Sequence, residues 1–179
     1  MIIETIDNRQ IYLRRLTLND LDNLHHYLEN LSMETKKRFG PHQFDKQSVM
    51  NFYVNPNIHQ GYVAQTIDSN EIVAYFIIKS GYLESDYNRF ISYGIKLDSK
   101  TDCEFAPSVA DLWQSCGIGN KLFHFILADL KKTEVKRIVL WGGVQADNEK
   151  AVNYYKKNNF KLLGQFSHNG ENYDMLLEI

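Results

Sequence analysis

Between residues 104 and 160 the sequence sets down a strand, a glycine-containing turn, a helix start, a second strand and a second helix in succession. The first strand reads over 104–109 with Pro107 inside it. A proline removes a ladder donor, so a bulge or an edge position is expected there. Gln114-Ser115-Cys116-Gly117-Ile118-Gly119 follows, and then Leu122, Phe123, Ile126, Leu127 and Leu130 recur at helical spacing. The first backbone N–H groups of a helix have no partner within it, and together they carry roughly half a positive charge. Glycine lets a ligand come close to such a backbone. The turn is therefore an anion site, most naturally for phosphate. Residues 137–144 read as the next strand, and Asp147-Asn148 caps a helix running to about Asn158.

Two common phosphate motifs do not account for the turn. A dinucleotide fingerprint starting at Gly117-Ile118-Gly119 needs a glycine at 122, where Leu122 stands, and the chain has no Gly-Lys-Ser/Thr.

Before this segment, residues 10–16 alternate as a strand. Thr17 to Asp20 looks like a capping box with Asp in place of Glu. Leu21, Leu24, Leu28 and Leu31 then predict a helix to about Asn30. Ser32 and Asp45 cap two further short helices, separated by Gly40-Pro41. Residues 61–67 and 72–79 form a hairpin, 81–90 a polar, Tyr-rich loop, and 90–97 another strand. At the other end, residues 160–166 and 172–179 flank Asn169-Gly170, a strong hairpin signal. The expected order is β-α-α-β-β-β-β-α-β-α-β-β, a mixed chain in which helices interrupt a mainly antiparallel sheet. No repeat, low-complexity run or linker interrupts it, so residues 1–179 are expected to form one domain.

Composition narrows the function classes. With 179 residues, a net charge of -2 and 13 % aromatics, the chain is unlike a disordered one and unlike a strongly basic nucleic-acid binder. No apolar run approaches the ~18 residues of a membrane span. The first seven residues have no basic region and no long apolar core, so no secretory signal is expected. Cys103 and Cys116 lack metal-site spacing, and His25-His26 is adjacent rather than four apart, so no metal is expected. Reduced thiols and a cytoplasmic location follow.

The pattern Gln-x-x-Gly-x-Gly over residues 114–119 resembles that of the GCN5-related N-acetyltransferase (GNAT) family. So does the later run Asn148-Glu149-Lys150-Ala151-Val152-Asn153-Tyr154-Tyr155-Lys156-Lys157-Asn158-Asn159-Phe160. Asn159 stands where that family usually has Gly; the position needs a left-handed backbone, and Asn is the best substitute. The resemblance implies an α/β chain of the α+β type. Its mainly antiparallel central sheet would have about seven strands with helices on both faces, the acyl-CoA N-acyltransferase fold.

By the same resemblance the chain transfers acetyl from acetyl-CoA to a primary amine, by direct attack in a ternary complex. Gln114, Ser115, Cys116, Gly117, Ile118 and Gly119 would hold the pyrophosphate. Ser108, Val109 and Asn148 would meet the pantetheine. Tyr155, rather than Tyr154, would protonate or hydrogen-bond the leaving thiolate. Glu104 is the candidate base for the amine, directly or through a water, with Glu84 and Asp86 as competitors. The acceptor pocket is expected from 30–60 and 81–93, which hold Phe39, His42, Phe44, Phe52, Tyr53, Tyr82, Tyr87, Phe90 and Tyr93. A small-molecule amine is the expected partner, with a homodimer through an aromatic face as a further expectation, and no nucleic acid or membrane. Two other functions fit the same residues: a CoA-binding sensor without turnover, and a protein-modifying acetyltransferase.

Overall fold

Ile11 and Leu13 are fully buried while Gln10 and Tyr12 are exposed, and this period of two makes the segment a strand. The computed structural model describes all 179 residues. In chain order its first elements are β1 (Ile2–Glu4), β2 (Gln10–Arg15), α1 (Leu21–Glu29), α2 (Met33–Arg38), α3 (Lys46–Phe52), β3 (His59–Thr66) and β4 (Ile72–Ser80). They are followed by α4 (Glu84–Ser92), β5 (Asp102–Val109), α5 (Ile118–Leu130), β6 (Arg137–Leu140) and β7 (Val144–Gln145). The last are α6 (Glu149–Lys157), β8 (Lys161–Ser167) and β9 (Glu171–Glu178). Pairing is mostly antiparallel, and β5 with β6 is parallel. The chain divides into two units, residues 1–78 with 106–129 and residues 79–105 with 130–179.

In the first unit the strand order is β1-β2-β3-β4-β5. α5 turns Ile118, Leu122, Phe123 and Ile126 inward at three- and four-residue spacing, and all four are fully buried. Each such side chain contributes about 1.5–3 kcal/mol by leaving water. The start of the α1 segment is held electrostatically as well as by packing. The Asp20 carboxylate accepts from the Thr17 N–H and hydroxyl, both at 2.8 Å, and takes Arg14 as a two-pronged partner at 2.6 and 2.7 Å. Ser32 and Asp45 cap α2 and α3 through the N–H groups of Thr35 and Ser48.

In the second unit the order is β5-β6-β9-β7, with β8 on β9. The β5–β6 register runs from Asp102↔Arg137 to Phe105↔Leu140 and stops there. Phe90, Leu97, Val139 and Leu176 pack as one buried cluster. α6 ends in a left-handed cap: Asn159 has φ 65°, its N–H donates to Lys156 O, and the Phe160 N–H donates to Tyr155 O.

Three expectations are corrected. Residues 84–92 are helix α4, so the expected loop over 81–90 and strand over 90–97 do not form. Tyr93 N–H donates to Phe90 O and Ile95 N–H to the same carbonyl, which closes the helix where the strand was expected. The expected strand over 137–144 is two, because Gly142 and Gly143 take φ 68° and 76° and turn the chain between them. A Cβ on Gly143 would lie 2.8 Å from both Phe166 Cε1 and Tyr173 O, so only glycine fits. The sheet is mixed and mainly antiparallel as expected, and its nine strands include β1 and β7 of only three and two residues.

Candidate active site

In the first unit, β5 leads into a loop that three anchors shape. Ala110 N–H donates to Val73 O at 2.9 Å. The Asp111 carboxylate accepts from the Ser32 N–H at 3.1 Å, the Ser32 hydroxyl at 2.9 Å and the Thr35 hydroxyl at 2.8 Å. Burial pushes the Asp111 carboxyl up, and these donors outweigh it and leave it below its ordinary value. The Gln114 amide reaches back to Val109 O at 3.2 Å.

The chain then makes two left-handed steps, Ser115 at φ 63° and Gly117 at φ 90°. Lys121 N–H donates to Gly117 O at 3.2 Å and begins the bonding of α5. The N–H groups of Ser115, Cys116, Gly117 and Ile118 have no acceptor in the protein. Left-handed steps in such a turn aim successive N–H groups into one concavity, and a helix N-terminus adds its dipole. The cradle thus fits a phosphate. Cys116 is buried, with its thiol donating to Trp113 O at 2.8 Å.

Ser108 and Val109 end β5 just before this loop. Ser108 is buried and its hydroxyl is shared with Tyr27 Oη at 2.8 Å. Tyr27 is a partner that the sequence does not announce, since it sits among the leucines of α1.

Glu104, Asn148 and Tyr155 belong to the second unit. Glu104 is fully buried on β5; Oε1 accepts the Leu83 N–H at 2.8 Å, and Lys79 Nζ stands 3.1 Å from Oε2 as an ion pair without an aligned hydrogen bond. Burial raises its carboxyl, and Lys79 opposes that shift without cancelling it. Asn148 caps α6 by accepting from Ala151 N–H at 3.2 Å. Tyr155 packs against Phe160, Tyr154 and Phe105. Burial pushes its phenol up, so it stays neutral and able to donate a hydrogen bond, and its hydroxyl has no protein partner. Of the competing carboxylates, Glu84 is exposed, while Asp86 is buried beside Arg89 at 3.1 Å. Arg89 also grips the fully buried Asp174 through two nitrogens, at 2.5 and 3.1 Å.

The aromatic residues proposed for the acceptor fall into two groups. Phe39, His42, Phe44, Phe52 and Tyr53 pack together in the first unit, joined by Tyr75. Tyr82 stacks on Tyr87, and Phe90 meets Tyr93 edge to face, in the second. No group of three or more His, Cys, Asp or Glu side chains is placed to hold a metal ion. No helix is long and apolar enough to cross a membrane.

The model of the Acetyltransferase (GNAT) family matches residues 25–160. A search of curated protein sequences finds no match. Among solved structures, the GNAT domain of S. lividans PAT superposes with a TM-score of 0.76 at 16 % identity, over 100 % of this chain and 96 % of that one. Arabidopsis thaliana NAA60 in complex with acetyl-CoA gives 0.69 at 18 % identity, over 94 % and 98 %. Ard1 from Thermoplasma volcanium gives 0.66 at 14 %, over 94 % and 97 %. At such identities the likeness is one of fold.

Proposed function

Because the chain belongs to the GNAT family, and so is an acetyl-CoA-dependent N-acetyltransferase, we propose that it acetylates a small-molecule primary amine by direct attack in a ternary complex. The observation that carries this is the run of four unpaired N–H groups over residues 115–118 at the start of α5. In this proposal the cradle takes the pyrophosphate of acetyl-CoA, and the pantetheine extends along the end of β5 at Ser108 and Val109, with Asn148 as a further contact. Holding thioester and amine together removes much of the entropic barrier.

The amine nitrogen forms a bond to the thioester carbonyl carbon, the carbonyl electrons move to oxygen, and the C–S bond then breaks. Backbone N–H donors stabilise the oxyanion. Tyr155, neutral through burial and with its hydroxyl unengaged, supplies a proton or hydrogen bond to the departing sulfur. Glu104 takes the proton that the amine must lose, with Lys79 limiting how far burial raises its carboxyl. We place the working enzyme in the cytoplasm as one domain.

The test is a panel of primary amines assayed for free CoA thiol. Thiol release that needs both acetyl-CoA and one amine class supports the proposal. Acetyl-CoA binding with no release for any amine, or release only with peptide substrates, contradicts it.

A further inference from the structure

The turn between β1 and β2 is built against the loop of residues 114–119. Thr5 and Arg9 close it, with the Arg9 N–H on Thr5 Oγ1 at 3.0 Å and the Thr5 N–H on Arg9 O at 2.9 Å. Ile6 N–H donates to Cys116 O at 3.0 Å, and the Ile6 side chain faces Gly117, where a Cβ would meet Ile6 Cδ1 at a tight 3.2 Å. The turn is therefore fixed to the same backbone that offers its N–H groups.

Arg9 uses this position in an unusual way. Its guanidinium lies over the Trp113 ring, 3.4 Å from the centroid. Nη2 pairs with Asp7 at 2.6 Å, Nε is buried under the ring without a partner, and Nη1 makes no hydrogen bond in the protein. The side chain remains 35 % exposed. Here the stack on Trp113, two positions before Ser115 in the chain, and the Asp7 pair fix the guanidinium plane and leave Nη1 without a protein partner. A fixed guanidinium with one unengaged charged donor nitrogen suits a phosphate monoester, which accepts charge-assisted hydrogen bonds. Lys121, the other cation near the turn, is tied to Glu4 O at 2.6 Å.

We infer that Arg9, held by Trp113 and Asp7, recognises the 3′-phosphate of CoA and makes the enzyme select the 3′-phosphorylated cosubstrate. This rests on the assignment of residues 114–119 as the pyrophosphate cradle, because only a ligand seated there brings a second phosphate to the turn.

The experiment is calorimetric titration of the wild type and Arg9→Gln with CoA and with dephospho-CoA, which lacks only the 3′-phosphate. The wild type should bind CoA more tightly. Arg9→Gln should lose about tenfold in affinity for CoA, the scale of one hydrogen bond to a charged group, and nothing for dephospho-CoA. Arg9→Lys keeps the charge without the fork and should lose less, again for CoA alone; it carries the comparison if Arg9→Gln does not fold. Equal losses for both ligands, or a wild type that does not distinguish them, overturn the inference while leaving the cradle standing. A wild type that binds neither ligand overturns the cradle and the inference together.

Discussion

Lys79 Nζ stands 3.1 Å from Glu104 Oε2, with the glutamate side chain fully buried and the lysine side chain 14 % exposed. Burial lifts the Glu104 carboxyl above its ordinary value of 4.5, and Lys79 limits how far. The protonated form is thus favoured by folding. The stability that it contributes is present below 4.5 and is lost as pH rises through the folded value. A base works only when deprotonated, so the acidic limb of kcat/KM should lie above 4.5. Lys79→Met should move that limb to higher pH and cost about 3 kcal/mol of stability, because it leaves a buried carboxylate without its cation. Glu104→Gln should abolish the limb and lower turnover. A Glu104→Gln enzyme with normal turnover and the same limb removes Glu104 from the role of base.

Tyr155 is argued to act in the transition state through its oxygen alone. Tyr155→Phe keeps the ring between Phe105 and Phe160 and deletes a hydroxyl that has no protein partner. Single-turnover rates with saturating amine should fall by tens to hundreds of fold, within the range of general-acid effects of ~10²–10⁴. Acetyl-CoA affinity and Tm should stay near wild type, since little apolar contact is lost. Tyr154→Phe is the matched control. Near-normal rates with a lowered Tm would make Tyr155 a packing residue instead.

The residues that the sequence exposes most clearly are those whose conformation is local. The glycine turn before α5, the Asn148 cap and the left-handed Asn159 each follow from a backbone requirement that few residue types meet. α4 is hidden for the opposite reason. Leu83 gives it no side-chain cap, and only Asp86 and Phe90 of its nine residues are buried, so neither a start signal nor an apolar stripe marks it. Its helical state is supported by long-range partners, such as the Arg89–Asp174 pair across 85 positions, which no local pattern reveals. The break at Gly142-Gly143 is masked by the apolar run of Ile138, Val139, Leu140 and Trp141 before it. Lys79 and Tyr27 were invisible as partners of Glu104 and Ser108 because those contacts, too, join distant segments.

Cys103 and Cys116 are both unpaired and buried. Burial pushes the Cys103 thiol up, which leaves little thiolate at neutral pH. Freshly isolated protein unfolded in denaturant should titrate two thiols, and the native protein should react far more slowly. No thiol after unfolding would reveal a disulfide that the fold does not contain.

Gly117 Cα joins the two properties on which the assignment depends, φ 90° and an unpaired N–H. A side chain there would be strained by about 1 kcal/mol, which for a chain of this size lowers Tm by about 2–4 °C. An aspartate would also set a negative charge in the cradle, opposing an anion at the helix N-terminus. Titration of acetyl-CoA into the wild type and Gly117→Asp by calorimetry tests the cradle most directly. The wild type should bind, and the folded variant should bind about tenfold more weakly or worse. A wild type that does not bind at millimolar ligand, or a Gly117→Asp protein that binds as the wild type does, would contradict the assignment.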